Sequence, residues 1–81
     1  MTVRVACFAR IRELVGAAEL ERVAPPGSTA AACFAALAGD FPALAAFAGS
    51  TRFVRGGAFI DAATELHDGD ELGLLPPYGG G

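Results

Sequence analysis

Val3, Val5 and Cys7 alternate with Arg4, Ala6 and Phe8, which is the two-residue period of a strand. Both sets are largely apolar, so the strand is expected inside a sheet rather than at its edge. The period changes at Ala9. Ile11, Leu14 and Val15 fall at helical spacing between Arg10, Arg12 and Glu13, and Gly16 stands where a helix ends in a left-handed residue. A second strand over about Glu19 to Ala24 should return antiparallel to the first and stop at Pro25-Pro26-Gly27.

The main helix is predicted to start at Ser28 or Thr29, either of which can accept a hydrogen bond from a first-turn amide. Ala30, Phe34, Leu37 and Phe41 follow at helical steps and form its core face. Gly39 and Pro42 close it, and a shorter turn from Ala43 to Ala48 places Leu44 and Phe47 on the same side. The alanines lower the entropic cost of the helix but offer little area. Phe34, Leu37 and Phe41 must therefore dock it, at roughly 1.5–3 kcal/mol each if fully buried.

Arg52–Arg55 and Ala58–Ile60 read as short strands joined by Gly56-Gly57, a dipeptide suited to the positive φ angles of a tight hairpin. Asp68-Gly69-Asp70 is another turn, leading into a last strand, Glu71–Leu75, which ends at Pro76-Pro77. Strand, strand, helix, strand, strand, strand describes an α+β roll with one main helix on one face of a mixed sheet. Residues 1–77 form the domain in this reading, and residues 78–81 a flexible glycine tail.

Length and composition narrow the functions. At 81 residues the chain is one domain. Although 53% of its residues are hydrophobic, no apolar run approaches the roughly 18 residues of a membrane span. The first residues lack the pattern of a signal peptide, so a soluble, cytoplasmic protein is expected. The net charge is -3, and all six basic residues are arginine, which argues against a nucleic-acid surface. Cys7 and Cys33 have no metal-ligand spacing and read as small buried hydrophobes.

The body of the chain offers no persuasive catalytic constellation. His67 is the only histidine, and Asp68 and Asp70 beside it read as turn formers rather than as part of a triad or a calcium loop. Gly56-Gly57 lacks the setting of a phosphate loop. The C-terminus differs. Pro76-Pro77 directs Tyr78, Gly79, Gly80 and Gly81 away from the sheet, and glycines without Cβ atoms can thread a channel too narrow for other residues. The terminal carboxylate is then the group that can be delivered into another protein's active site; a frayed end is the plainer alternative.

Taken together, Phe8-Ala9-Arg10-Ile11-Arg12-Glu13-Leu14-Val15-Gly16, the turn Asp68-Gly69-Asp70-Glu71 and the ending Leu75-Pro76-Pro77-Tyr78-Gly79-Gly80-Gly81 resemble the small subunit of molybdopterin synthase, the MoaD family. The resemblance spans nearly the whole chain. It implies the ubiquitin-like β-grasp fold. It also implies a sulfur carrier that is non-catalytic by itself, holds no cofactor and is activated by an E1-like adenylating enzyme that uses ATP on the Gly81 carboxylate. A sulfur donor protein would convert that carboxylate to a thiocarboxylate, and Gly80 and Gly81 would carry the sulfur into the large synthase subunit to form the dithiolene of molybdopterin. Phe8, Arg55, Leu72, Leu74, Pro76, Pro77, Tyr78 and Gly79 are the expected partner-binding residues, with no metal, nucleic-acid or membrane site.

Gly79 stands where relatives commonly carry Ser or Thr, with the reach after Pro-Pro retained. Arg55 replaces a usually apolar residue and must find water or an acidic partner. Strands apolar on both sides with a helix on one should leave an exposed apolar patch, with Phe8 and Leu72 or Leu74 in it and Arg55 on its rim. A carrier for thiamin, cysteine or a specialised metabolite is the nearest alternative, and a ubiquitin-like protein modifier is a different one.

Overall fold

The computed structural model describes residues 1–77. In chain order the elements are β1 (Thr2–Cys7), α1 (Ala9–Val15), β2 (Glu19–Val23), α2 (Ala30–Asp40), a 3-10 segment (Pro42–Phe47), β3 (Arg52–Arg55), β4 (Ala58–Ile60) and β5 (Glu71–Leu75). They form one five-stranded sheet in the order β2-β1-β5-β3-β4. β1 pairs antiparallel with β2 and parallel with β5, placing Ala6 opposite Glu19 on one side and Gly73 on the other. β3 runs antiparallel to both β5 and β4, with Val54 opposite Gly73 and Phe59. The mixed sheet with a helix packed on it is the ubiquitin-like β-grasp fold.

Local chemistry accounts for the element ends. Gly16 closes α1 at φ 83, with its N–H donating to the Arg12 carbonyl. Thr29 caps α2, its hydroxyl accepting from the Ala32 amide at 3.1 Å, whereas the Ser28 hydroxyl donates to the Pro25 carbonyl at 2.6 Å. Gly39 lies within α2, whose helical residues run to Asp40; Phe41 leaves helical geometry at ψ 79, and Pro42 opens the 3-10 segment. Gly56 and Gly57, at φ 60 and 80, make the β3–β4 hairpin with the two left-handed residues that its twist favours.

Along β1, Val3, Val5 and Cys7 point toward α2, and Thr2, Arg4 and Ala6 point away. The core joins the inward set to Ile11, Cys33, Phe34, Leu37, Leu44, Phe53, Leu66, Leu72 and Leu74. Phe34 and Phe53 meet edge to face at 6.2 Å between ring centroids. Phe41 and Phe47 are only partly buried against this cluster, so Phe34 and Leu37 contribute more of the docking of α2 than Phe41 does. Arg22 on β2 clamps the helix from the sheet edge, with an ion pair to Asp40 at 2.6 Å and a hydrogen bond to the Ala36 carbonyl.

Candidate functional site

The sheet face turned away from α2 carries the side chains that the core does not use. Ala6, Gly73, Val54 and Phe59 succeed one another across four adjacent strands by register, and the Phe8 ring lies beside Gly73. Phe8 is 48% exposed and Phe59 59% exposed. The result is a contiguous, partly open apolar band. Its position follows from β5, which enters the middle of the sheet as its last strand and leaves Leu75 at the end where β1 delivers Phe8. Phe8 itself is extended at φ -123, and the chain then turns into α1 through Ala9 at φ 49. That left-handed value is uncommon for a residue with a Cβ atom.

Leu72 and Leu74 do not belong to this band. Both are 0% exposed and pack in the core beneath α2, so their expected place in an open patch is corrected. The reason is strand parity: on β5 Glu71, Gly73 and Leu75 point outward, and Gly73 and Leu75 stand where the leucines were expected. Arg55 is corrected in the same way. It shares the parity of buried Phe53, faces the helix side, and is not on the rim of the band. There its guanidinium donates to the Glu65 carbonyl at 3.0 Å and meets Asp70 at 3.4 Å. The expected acidic partner is therefore Asp70.

Asp70 also accepts the His67 amide at 2.8 Å, and Asp68 accepts the Thr2 amide at 2.7 Å. The Asp68-Gly69-Asp70 turn is thereby tied to the start of β1, with further backbone bonds from Gly69 to Thr2 and from Arg4 to Asp70. These carboxylates hold a turn. The His67 ring is exposed, 3.8 Å from Asp70. Cys7 and Cys33 are free and buried. Burial pushes both thiols up, and at Cys33 the nearby Arg22 charge opposes this in part. Neither is the low-pKa, accessible thiol that nucleophilic chemistry requires.

Among the described residues no group of three or more His, Cys, Asp or Glu is placed to hold a metal ion. No helix among them is long and apolar enough to cross a membrane. Pro76 and Pro77 follow β5 half-buried. Tyr78, Gly79, Gly80 and Gly81, and the expectation that this tail is flexible, lie outside the described residues. Sequence reading missed Gly73, Val54, Phe59 and Leu75 as outward residues. Alternation held the signal: Phe53 and Val54 cannot share a face, nor can Leu72 and Gly73.

The ThiS family model matches residues 5–81. The chain is 32% identical over 79 residues to the molybdopterin synthase sulfur carrier subunit of Arabidopsis thaliana, an alignment covering 98% of this chain and 82% of that protein. Among solved structures it resembles small archaeal modifier protein 1 from Methanosarcina acetivorans, with a TM-score of 0.81 and 30% identity over 99% of this chain and 96% of that one. It also resembles a chain in the complex of subunits 1 and 2 of the molybdopterin-converting factor from Helicobacter pylori, with a TM-score of 0.67 and 26% identity over 100% of both chains.

Proposed function

The chain belongs to the ThiS family, and on that premise we propose that it is the sulfur-carrying small subunit of a molybdopterin synthase. In this reading an adenylating enzyme joins the Gly81 carboxylate to AMP, releasing pyrophosphate from ATP. A sulfur donor then displaces AMP to leave a thiocarboxylate. The chemistry needs this order, because a carboxylate is a poor electrophile until activated, whereas the thiocarboxylate is a good nucleophile. In the large subunit the sulfur bonds to a carbon of a pterin precursor, and water then cleaves the acyl carbon–sulfur bond, leaving the sulfur on the pterin and regenerating the carboxylate.

The observation that carries the reading is the junction of β5 with the outer face. The last strand lies in the middle of the sheet, so its end cannot move without the fold, and it stops beside Phe8 and the apolar band. A partner seated on the band would hold the start of the tail at a fixed place, and four residues remain beyond Pro77 for reach. Similarity to the sulfur carrier subunit of Arabidopsis thaliana and to a chain of the Helicobacter pylori subunit complex supports this reading of role and partner.

Mass spectrometry after incubation with an adenylating enzyme, ATP and a sulfur donor tests it. Exchange of one carboxyl oxygen for sulfur should add about 16 Da, giving the nucleophile of the transfer step. Deleting Gly81, or adding one Ala after it, should abolish the gain with folding unchanged, and His67→Ala should keep it. Equal gain by the Gly81 deletion refutes the tail mechanism. The similarity to small archaeal modifier protein 1 supports a second reading, a protein modifier joined to lysines of other proteins. This chain has no lysine with which to extend itself. Amide-linked adducts in place of the 16 Da gain would favour that reading.

A further inference from the structure

At the centre of the outer face the apolar band dips into a depression of about 210 Å³, lined by Ala6, Phe8, Val54, Gly56, Gly57, Glu71 and Gly73. Gly73 forms its floor. A Cβ built there would lie 3.4 Å from Val54 Cβ and 3.5 Å from Phe8 Cε2. These are ordinary contact distances, so a methyl group is tolerated by the backbone and the walls while standing in the space itself. The glycine is not demanded by φ, since Gly73 is absent from the positive-φ residues. Its effect is to leave open a hollow between a phenylalanine ring and a valine. For scale, a cavity of roughly 150 Å³ lined by apolar side chains holds a benzene.

The charges around the hollow are unequal. On the β2-β1-β5 half of this face, register and parity place the carboxylates Glu19, Glu21 and Glu71 around one guanidinium, Arg4. Arg4 reaches Glu19 at 3.6 Å, and among the described residues Glu71, on the lip of the hollow, makes no ion pair. The other cation of the face, Arg52, lies 4.0 Å over the Phe59 ring. A ligand that fills the hollow therefore meets apolar walls and a negative lip. A second copy of this chain is a poor occupant, since the same face would set Glu71 against its own kind.

Resting on the reading above, we propose that the Gly73 hollow is a socket for one apolar side chain of a protein partner that places a Lys or Arg against Glu71. Burying a single anchor in a preformed socket, with charge at its edge, is how small interfaces concentrate their affinity and orientation. Gly73 sets the depth of the socket, Phe8 and Val54 grip the anchor, and Glu71 steers it in. Because β5 carries both Gly73 and the start of the tail, the same contact fixes the distance from the partner to the tail.

The test is titration of the intact chain with the large subunit of molybdopterin synthase from the same organism, by biolayer interferometry at low and high salt. Gly73→Ala should bind at least tenfold more weakly with an unfolding midpoint equal to or above that of the wild type. Glu71→Gln should associate about three- to tenfold more slowly at low salt and show a weaker salt dependence, the part set by Glu19 and Glu21 remaining. Glu13→Gln, on exposed α1, should match the wild type. Binding by Gly73→Ala within twofold of the wild type overturns the socket, as does unchanged salt dependence in Glu71→Gln. Wild-type self-association abolished by Gly73→Ala would make a second copy the occupant and overturn it as well. If the wild type fails to bind the large subunit, the synthase reading falls and the socket falls with it; if all variants bind alike, only the socket fails.

Discussion

Leu74→Ala and Phe8→Ala should separate stability from docking. Leu74 is 0% exposed on the middle strand, packed in the cluster that includes Phe53 and Ile11. Truncation removes three carbons from the core, at about 0.8 kcal/mol each for lost transfer energy. Because β5 is held on both sides it cannot collapse into the gap, and a cavity term raises the cost to roughly 3–5 kcal/mol. A domain of 81 residues has a total stability of roughly 4–12 kcal/mol, so Leu74→Ala should be largely or wholly unfolded at moderate urea.

Phe8 is 48% exposed, so its truncation returns only the buried half of a side chain to water. That half contributes about 1–1.5 kcal/mol. The assay is urea denaturation followed by far-ultraviolet circular dichroism, paired with binding to the large synthase subunit for variants that remain folded. Phe8→Ala should fold cooperatively and bind poorly. A Leu74→Ala loss below about 1 kcal/mol, or a Phe8→Ala loss as large as that of Leu74→Ala, would refute the assignment of faces on which the socket and the docking band depend.

Thr29→Ala removes the cap that accepts the Ala32 amide at 3.1 Å and should cost about 1 kcal/mol by urea denaturation, with Ser28→Ala costing less. Ala9→Gly should stay within about 0.5 kcal/mol of the wild type, because relief at φ 49 offsets the roughly 1 kcal/mol that the exchange costs inside an ordinary helix. Both buried thiols have raised pKa values in the folded state. The unfolded chain therefore releases those protons first. Stability from this source is intact below the ordinary thiol range, roughly pH 8.5, and is lost as pH rises through it toward the folded values. Unfolding midpoints measured from pH 7 to 10 should fall more steeply for the wild type than for Cys7→Ala/Cys33→Ala.

The elements of the fold are local consequences of the chain. The alternation of Val3, Val5 and Cys7, the steps of four and three from Ala30 to Phe34 and Leu37, the Gly56-Gly57 hairpin and the stop at Pro76-Pro77 all use interactions within a few residues, so their positions can be read without knowing the fold. The motif at Phe8 to Gly16 and the glycine ending likewise identify the family before any tertiary contact is considered. Period alone, however, does not orient a strand that is apolar on both parities. Glu71-Leu72-Gly73-Leu74-Leu75 offers leucines to both sides, and only the packing of α2 over β5 buries Leu72 and Leu74 and turns Gly73 and Leu75 outward. The same holds for Arg55, whose partner Asp70 lies 15 residues away and is brought to it by the turn tied to β1. A hollow made by leaving out a side chain depends on the surrounding walls. Phe8, Val54 and Gly73 come from three strands or their ends, so the socket exists only once the sheet has assembled in its β1-β5-β3 order.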